Sequence, residues 1–178
     1  MELTKKEEKV TKGLLINEKV ELGLLFITIF AIPFFFKSPQ YVIGTVVNLL
    51  LILSVSKYGL KKMFPALILP SLATYLSGRI FGGATNFLLY IMPFIMLSNL
   101  IYVLLYQKVK IGFLNVVIAS ITKASFLFLA IYILYKTIGL PELFLTTMGV
   151  TQLITDFSVG ILGYLITSPI KKESVKIQ

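Results

Sequence analysis

Two residue types that carry much of enzyme chemistry are missing from this 178-residue sequence. It contains no cysteine, which excludes a disulfide, a thiol nucleophile and a thiolate metal site. It contains no histidine, so the usual general base and the commonest transition-metal ligand are also absent. It shows no paired-carboxylate motif, metal-ligand cluster or phosphate-binding loop. We therefore expect a protein that is not an enzyme, with no catalytic residue, bound metal or cofactor.

Charged residues are also scarce, at 14% of the chain, whereas hydrophobic residues reach 57%. Soluble domains have about 25% charged and about 45–50% apolar residues. The mean hydropathy of +0.90 points the same way. The sequence therefore predicts an all-α integral membrane protein with no room for a separate soluble domain.

Long apolar runs separated by short polar connectors predict six transmembrane helices. Residues 1–21 have mixed charge and are expected to form a cytoplasmic N-terminal segment. The six-helix membrane domain is expected to cover residues 22–168, and residues 169–178 a cytoplasmic tail. The six predicted spans are residues 22–36, 41–56, 64–80, 87–106, 113–135 and 144–167.

The third run, residues 64–80, is irregular because Pro65, Pro70 and Gly78 interrupt it. Interrupted membrane segments often line a binding cavity, since ligand or water can satisfy the freed backbone groups there. Residues 82–86 then read as a flexible connector to the fourth span. The sequence therefore predicts a cavity beside the third span.

The net charge of +9 is distributed unevenly along the predicted topology. With six spans and both termini in the cytoplasm, thirteen basic residues lie on the inner side and three on the outer side. This bias follows the positive-inside rule. We therefore expect a multi-pass protein of a prokaryotic plasma membrane, in contact with the lipid bilayer and not with nucleic acid. The three outer basic residues are Lys37, Arg79 and Lys136.

One lysine, Lys123, lies inside the fifth predicted span, ten residues from one end and twelve from the other. An ammonium at that depth costs from about 3 to over 10 kcal/mol, and ionisable residues inside a membrane usually mark a functional site. A buried carboxylate, a water-filled cavity or a bound anionic ligand would offset the cost. Lys123 is therefore either a lock between two helices or part of a binding site.

The sixth predicted span carries a polar-to-small stripe: Gln152, Asp156, Gly160 and Gly163 follow one face of a helix. Counted from the outer ends of their spans, Asp156 and Lys123 each lie about twelve residues deep, so antiparallel neighbours bring them together. This depth predicts a salt bridge. The two glycines favour close helix contact, within the protein or with a partner.

Several more polar residues fall in the outer half of the predicted bundle. Singly, each is worth an interhelical hydrogen bond of about 0.6 kcal/mol. Together they predict an outward-facing pocket for an organic ligand, in which Lys123 and Arg79 favour a carboxylate or phosphate group. The predicted binding residues are Asn48, Arg79, Asn86, Tyr90, Lys123, Gln152 and Asp156.

Three stretches resemble the substrate-binding S components of energy-coupling factor (ECF) transporters, and most closely an uncharacterised branch sometimes labelled iron-hydrogenase-associated. They are residues 41–51, 90–99 and 121–127. The matching motifs are a Gly-x-x-Val-Asn turn of helix, a Pro-Phe-Ile-Met-x-x-Asn helix and a lysine in the fifth span. The corresponding residues here are Gly44, Val47, Asn48, Pro93, Asn99 and Lys123. The sequence departs from the family at Asp156, where a small residue is expected, and in the first span, which lacks Ala-x-x-x-Ala.

The resemblance implies a six-helix S-component-like bundle that captures a vitamin or cofactor precursor from outside the cell. It also implies partners, namely a transmembrane coupling (T) subunit and two ABC ATPases that hydrolyse the ATP. Two alternatives from other classes stay open. One is a self-sufficient small transporter or channel with a proton relay through Lys123 and Asp156. The other is a structural subunit of a membrane complex.

Overall fold

The structure, a computed structural model, describes the backbone of residues 2–37, 39–108 and 113–174. It describes the side chains of residues 17–37, 39–107 and 113–166. The described chain is helical throughout and has no strand. The helices are α1 (Glu2–Phe35), α2 (Gln40–Tyr58), α3 (Leu60–Met63), α4 (Leu69–Ser77), α5 (Leu88–Lys108), α6 (Leu114–Ile138), α7 (Leu143–Met148) and α8 (Val150–Ser174), with 3₁₀ turns at Phe64–Leu67 and Gly82–Phe87.

Four helical segments of the described chain are long and apolar enough to cross a membrane. The all-α prediction is confirmed for the described residues, and these four helices support a membrane protein, while the count of six spans stays a prediction. Many large apolar side chains on the outside of the bundle are exposed, as lipid contact requires. The four segments are Gln40–Tyr58, Gly82–Gln107, Leu114–Ile138 and Leu143–Ile166.

The predicted boundaries at both ends of the membrane domain fall inside helices. Helix α1 runs from Glu2 through residue 21 without a break, and α8 continues past residue 168 to Ser174. The N-terminal segment is therefore helical and continuous with the first predicted span. The turn at Ser38, the basic loop around Lys110 and residues 175–178 lie outside the described residues.

The third predicted span is broken into short pieces. Helix α4 has nine residues and is about 14 Å long, less than half of a hydrocarbon core of about 30 Å. Pro65 is the second residue of the 3₁₀ turn and Pro70 lies in the first turn of α4, where a missing N–H does little harm. The predicted connector at residues 82–86 forms the second 3₁₀ turn. Residues 64–80 are therefore not one spanning helix.

The sixth predicted span is divided at Gly149, between α7 and α8. A Cβ at this position would lie 2.8 Å from the carbonyl oxygen of Leu145 and 2.8 Å from Cδ2 of Phe128. Only a glycine lets the ring of Phe128 approach the backbone so closely. The packing of Phe128 against the break therefore requires a glycine at this position.

Helices α1 and α2 are joined at the end of the bundle that the charge bias assigns to the cytoplasm. The Lys57 ammonium lies 2.9 Å from the Glu21 carboxylate, and Lys62 pairs with Glu18. The Tyr58 hydroxyl also donates to Glu21. These hydrogen bonds, from Tyr58 and then from Lys57, hold the pKa of the Glu21 carboxyl below its usual range.

Two apolar clusters fill the bundle at different depths. One packs α1, α2 and the first 3₁₀ turn around Ile29, Leu51 and Leu67. The other packs α5, α6 and α7 around Ile131 and Phe144. A third cluster packs α2, α5, α6 and α8 together around Ile52 and Tyr102, and the buried Asn48, Lys123 and Asp156 lie on these same helices.

The small half of the α8 stripe makes its close contacts within the protein. A Cβ at Gly160 would lie 2.3 Å from Cγ1 of Val116 on α6, and one at Gly163 would lie 2.8 Å from the Tyr106 hydroxyl on α5. Valine has little rotamer freedom in a helix, so it cannot move aside. Of the two alternatives that the sequence left open for these glycines, contact within the protein or with a partner, the structure shows contact within the protein.

Replacing Gly160 by alanine tests this contact. We expect Gly160→Ala to lower the free energy of unfolding by about 1–3 kcal/mol, because the new methyl group overpacks the α6–α8 contact. Unfolding in mixed detergent micelles measures the change. Gly23→Ala is the matched control, since nothing lies within 4 Å of its new methyl group. Adding Val116→Ala to Gly160→Ala should restore most of the lost stability. Equal losses in Gly160→Ala and Gly23→Ala, with no recovery in the double variant, would contradict the contact.

Membrane orientation is tested by single cysteines, which the absence of native cysteine makes unambiguous. Asn86, Glu142 and Lys61 are all exposed. We expect Asn86→Cys and Glu142→Cys to react with an impermeant thiol reagent in intact cells, and Lys61→Cys to react only after lysis. The reverse pattern would overturn the orientation.

Candidate functional site

Four helices bring polar side chains to one point inside the bundle. Helix α2 supplies Asn48, α5 supplies Tyr102, α6 supplies Lys123, and α8 supplies Gln152 and Asp156. The last two lie one turn apart on the same face of α8. Antiparallel packing of α6 against α8 places Lys123 and Asp156 at the same depth, as the sequence predicts.

The centre of this site is an ion pair between Lys123 and Asp156. The Nζ atom of Lys123 lies 2.8 Å from Oδ1 of Asp156, and the two side chains are 1% and 0% exposed. The predicted salt bridge is therefore present and sealed from solvent. Burying two charges costs several kcal/mol each, which only good geometry and further hydrogen bonds offset.

The carboxylate of Asp156 receives two further hydrogen bonds at the same oxygen. Asn48 Nδ2 donates to Oδ1 across 3.0 Å, and Gln152 Nε2 donates to it across 3.1 Å. Charge-assisted hydrogen bonds of this kind are stronger than neutral ones. Asp156 therefore orients the amides of Asn48 and Gln152 as well as pairing with Lys123.

Tyr102 completes the surroundings of the ion pair. Its hydroxyl donates to the backbone carbonyl of Asp156 at 2.6 Å, and its ring centroid lies 4.9 Å from the Lys123 ammonium. A desolvated cation over an aromatic face gains about 2 kcal/mol. One tyrosine therefore stabilises both the backbone at Asp156 and the charge of Lys123.

A cavity of about 90 Å³ lies next to the ion pair, towards the end of the bundle that the charge bias assigns to the outside. Helices α1, α2, α4 and α5 form its walls, and α8 closes it with Gln152. Apolar residues such as Pro33, Phe81 and Met148 make up most of the lining. Its polar residues are Gln40, Asn48, Ser71, Thr74, Asn99 and Gln152, and none of the described lining residues is charged.

The structure brings together four of the seven predicted binding residues. Asn48 and Gln152 line the cavity, while Lys123 and Asp156 lie behind them and are not part of its lining. The ligand contacts of these residues stay a prediction. The structure shows that the charged Lys123 and Asp156 are buried behind the cavity wall, whereas the uncharged Asn48 and Gln152 form part of that wall.

The other three predicted binding residues lie elsewhere. Arg79 is exposed and donates from Nη1 to the Phe35 carbonyl at 2.9 Å, where it complements the C-terminal end of α1. Asn86 is exposed in the second 3₁₀ turn, and Tyr90 is 60% exposed on α5. None of the three lines the cavity described above.

The sequence-based pocket omits residues that matter in the structure: Tyr102 beside the ion pair, and Ser71, Thr74 and Asn99 in the cavity. Tyr102 carries no clear signal, because it lies four residues from the inner end of the predicted span 87–106, close to the interface where tyrosines of membrane proteins concentrate. Asn99 is part of the quoted family motif. No sequence signal singles out Ser71 or Thr74 among the hydroxyl residues.

Comparisons of the sequence with protein-family models and with curated proteins, and of the structure with solved structures, found no match. The resemblance to S components therefore stays a hypothesis that depends on the quoted motifs and on the site.

The energetic role of the ion pair is tested by removing one charge and then both. We expect Lys123→Met to lower the free energy of unfolding by about 3–5 kcal/mol, because it leaves a buried carboxylate without its counter-charge. Adding Asp156→Leu should recover most of that loss, since the freed amides of Asn48 and Gln152 can turn to the cavity.

Lys136→Met is the matched control, because Lys136 is an exposed lysine on the same helix. Its effect should stay within about 0.5 kcal/mol. A Lys123→Met variant as stable as this control, or a double variant less stable than the single one, would contradict the energetic role given to the pair.

Proposed function

We propose that this protein is the substrate-binding S component of an ECF-type importer in a prokaryotic plasma membrane. It captures a small molecule, a vitamin or cofactor precursor, from outside the cell. A transmembrane coupling subunit and two ABC ATPases then drive release to the inside. The protein itself hydrolyses no ATP.

The observation that carries this proposal is the cavity at one end of the bundle. Asn48, Asn99 and Gln152 offer amides there within mostly apolar walls, which is the usual composition of a small-molecule site. The broken third segment contributes Ser71 and Thr74, in agreement with the role of interrupted segments as cavity walls. Asn48 and Asn99 are also motif residues of the family resemblance. Site and motif thus support the same function.

A self-sufficient transporter with a proton relay is the second candidate. The buried Lys123–Asp156 pair favours it, because such pairs recur in membrane proton pathways. Against it, neither side chain lines the cavity, and three donors hold Oδ1 of the carboxylate. Oδ2 of Asp156 is buried and has no hydrogen-bond partner among the described residues, so it is the oxygen that a moving proton would use. The separation of the pair from the cavity therefore favours a fixed scaffold.

The proposal is tested by finding and following the cargo. Mass spectrometry of small molecules extracted from the purified protein should show one compound that is enriched over a mock purification. The amount of this compound should fall in the Ser71→Ala variant. The Ser71 hydroxyl lines the cavity, whereas the Ser158 hydroxyl donates to the Ile154 carbonyl and lies outside it. Ser158→Ala is therefore the matched control and should retain the compound as well as the unaltered protein does.

The same compound, isotopically labelled, then separates the two candidates. In liposomes that contain this protein alone, we expect binding without accumulation under a pH or sodium gradient, because the energy comes from the partner ATPases. Addition of the coupling subunit, the ATPases and ATP should start uptake. Sustained accumulation by the protein alone would establish the second candidate instead.

A further inference from the structure

The cavity described above has no cation among its described lining residues that could bind an acidic ligand. Lys123 is paired with Asp156 and lies outside the lining, and Arg79 is bound to the Phe35 carbonyl. The described lining residues carry no charge. A carboxylate or phosphate in this cavity would give up its hydration without gaining a counter-charge, which is strongly unfavourable.

Four residues with carboxamide side chains line the cavity, namely Gln40, Asn48, Asn99 and Gln152, and the last three each donate an N–H to an acceptor of the protein. Asn48 and Gln152 donate to Asp156, and Asn99 Nδ2 donates to the Leu67 carbonyl at 3.1 Å. Carboxylate and carbonyl oxygens only accept, so these amides must present nitrogen to them, and the assignment of nitrogen and oxygen is unambiguous.

The opposite side of each carboxamide is its carbonyl oxygen. Within the described part of the chain, the hydrogen bonds of these three side chains are the ones they donate. Each of these three side chains thus keeps its carbonyl oxygen as an acceptor and the second hydrogen of its NH₂ group as a donor. Thr74, whose hydroxyl donates to the Pro70 carbonyl at 2.9 Å, adds a further acceptor. The polar part of the lining therefore carries no charge and offers both acceptors and donors to a ligand.

The volume of the cavity is that of a small-molecule site. About 90 Å³ is far more than one buried water needs, so the cavity has room for an organic group as well as for water.

We infer that the cavity binds a small, uncharged molecule that both donates and accepts hydrogen bonds, such as a primary carboxamide. This inference rests on the proposed function, since it names the substrate class of the same site. It replaces the acidic ligand that Lys123 and Arg79 suggest in the sequence, because both cations are engaged elsewhere.

Matched fragments test the ligand class directly. The probes are three amide–acid pairs, acetamide with acetate, benzamide with benzoate and nicotinamide with nicotinate, together with the N,N-dimethyl form of each amide. Thermal unfolding of the full-length protein in detergent, with each probe at millimolar concentration, reports binding. We expect at least one primary amide to raise the Tm, and its acid and its dimethyl form to leave the Tm unchanged.

Side-chain variants locate the binding. Gln152→Met keeps the length of the side chain and removes its carbonyl, so it should weaken the Kd of the binding amide by about tenfold. Gln107→Met is the matched control, because Gln107 is exposed and outside the cavity lining. If Gln152→Met does not fold, Ser71→Ala serves the same purpose, since it removes a cavity hydroxyl without affecting Asp156.

The outcomes separate this inference from the proposed function. An acid that binds as tightly as its amide, or a dimethyl amide that binds as tightly as the primary amide, overturns the ligand class and leaves the importer proposal intact. Equal loss of affinity in Gln152→Met and Gln107→Met overturns the site. Failure of every probe to bind overturns the inference, and the importer proposal falls with it only if the purified protein also retains no compound.

Discussion

The polar interior of this protein depends on the buried ion pair between Lys123 and Asp156. Both side chains are sealed from solvent, so neither charge is tolerable without the other. The pair joins α6 to α8, and hydrogen bonds from Asn48 and Tyr102 extend it to α2 and α5. Four helices therefore share one electrostatic centre, and its geometry fixes their relative depth.

The same centre shapes the cavity beside it. Because the Asp156 carboxylate accepts from the amides of Asn48 and Gln152, these amides have one orientation available, with nitrogen towards the carboxylate. The charges stay behind the amides and the cavity keeps an uncharged lining. An ion pair that the sequence suggests as a ligand contact therefore orients two uncharged side chains at the cavity. If the cavity binds a ligand, as we propose, this separation keeps the charges away from it, and in a low-dielectric environment that disfavours an ionic ligand.

The sequence predicts well how deep a residue lies along its helix, and poorly which side of the helix it faces. Counting residues from the ends of the spans places Lys123 opposite Asp156, because the rise per residue of a helix is constant. The same count places Tyr90 in the pocket, yet its side chain is 60% exposed, since depth says nothing about which way a residue faces around the helix axis. Arg79 and Asn86 lie at helix ends, where backbone carbonyls and a 3₁₀ turn determine their positions.

Breaks in the helices show a similar limit. The interruption of residues 64–80 is predictable because proline removes a backbone donor within the segment itself. The packing of Phe128 against the break at Gly149 is not, because the ring comes from another helix and hydropathy does not record that contact. The close contact of Gly160 with Val116 is only partly predictable, because the sequence shows the glycine in the α8 stripe but does not show which residue packs against it.

The most direct test of this account is an experimental structure of the protein with its co-purifying compound bound. We expect the compound in the cavity, with donors facing the carbonyl oxygens of Asn48, Asn99 or Gln152. The distance from Lys123 Nζ to Asp156 Oδ1 should stay near 2.8 Å. A compound that contacts the Lys123 ammonium, with the ion pair broken, would contradict the account.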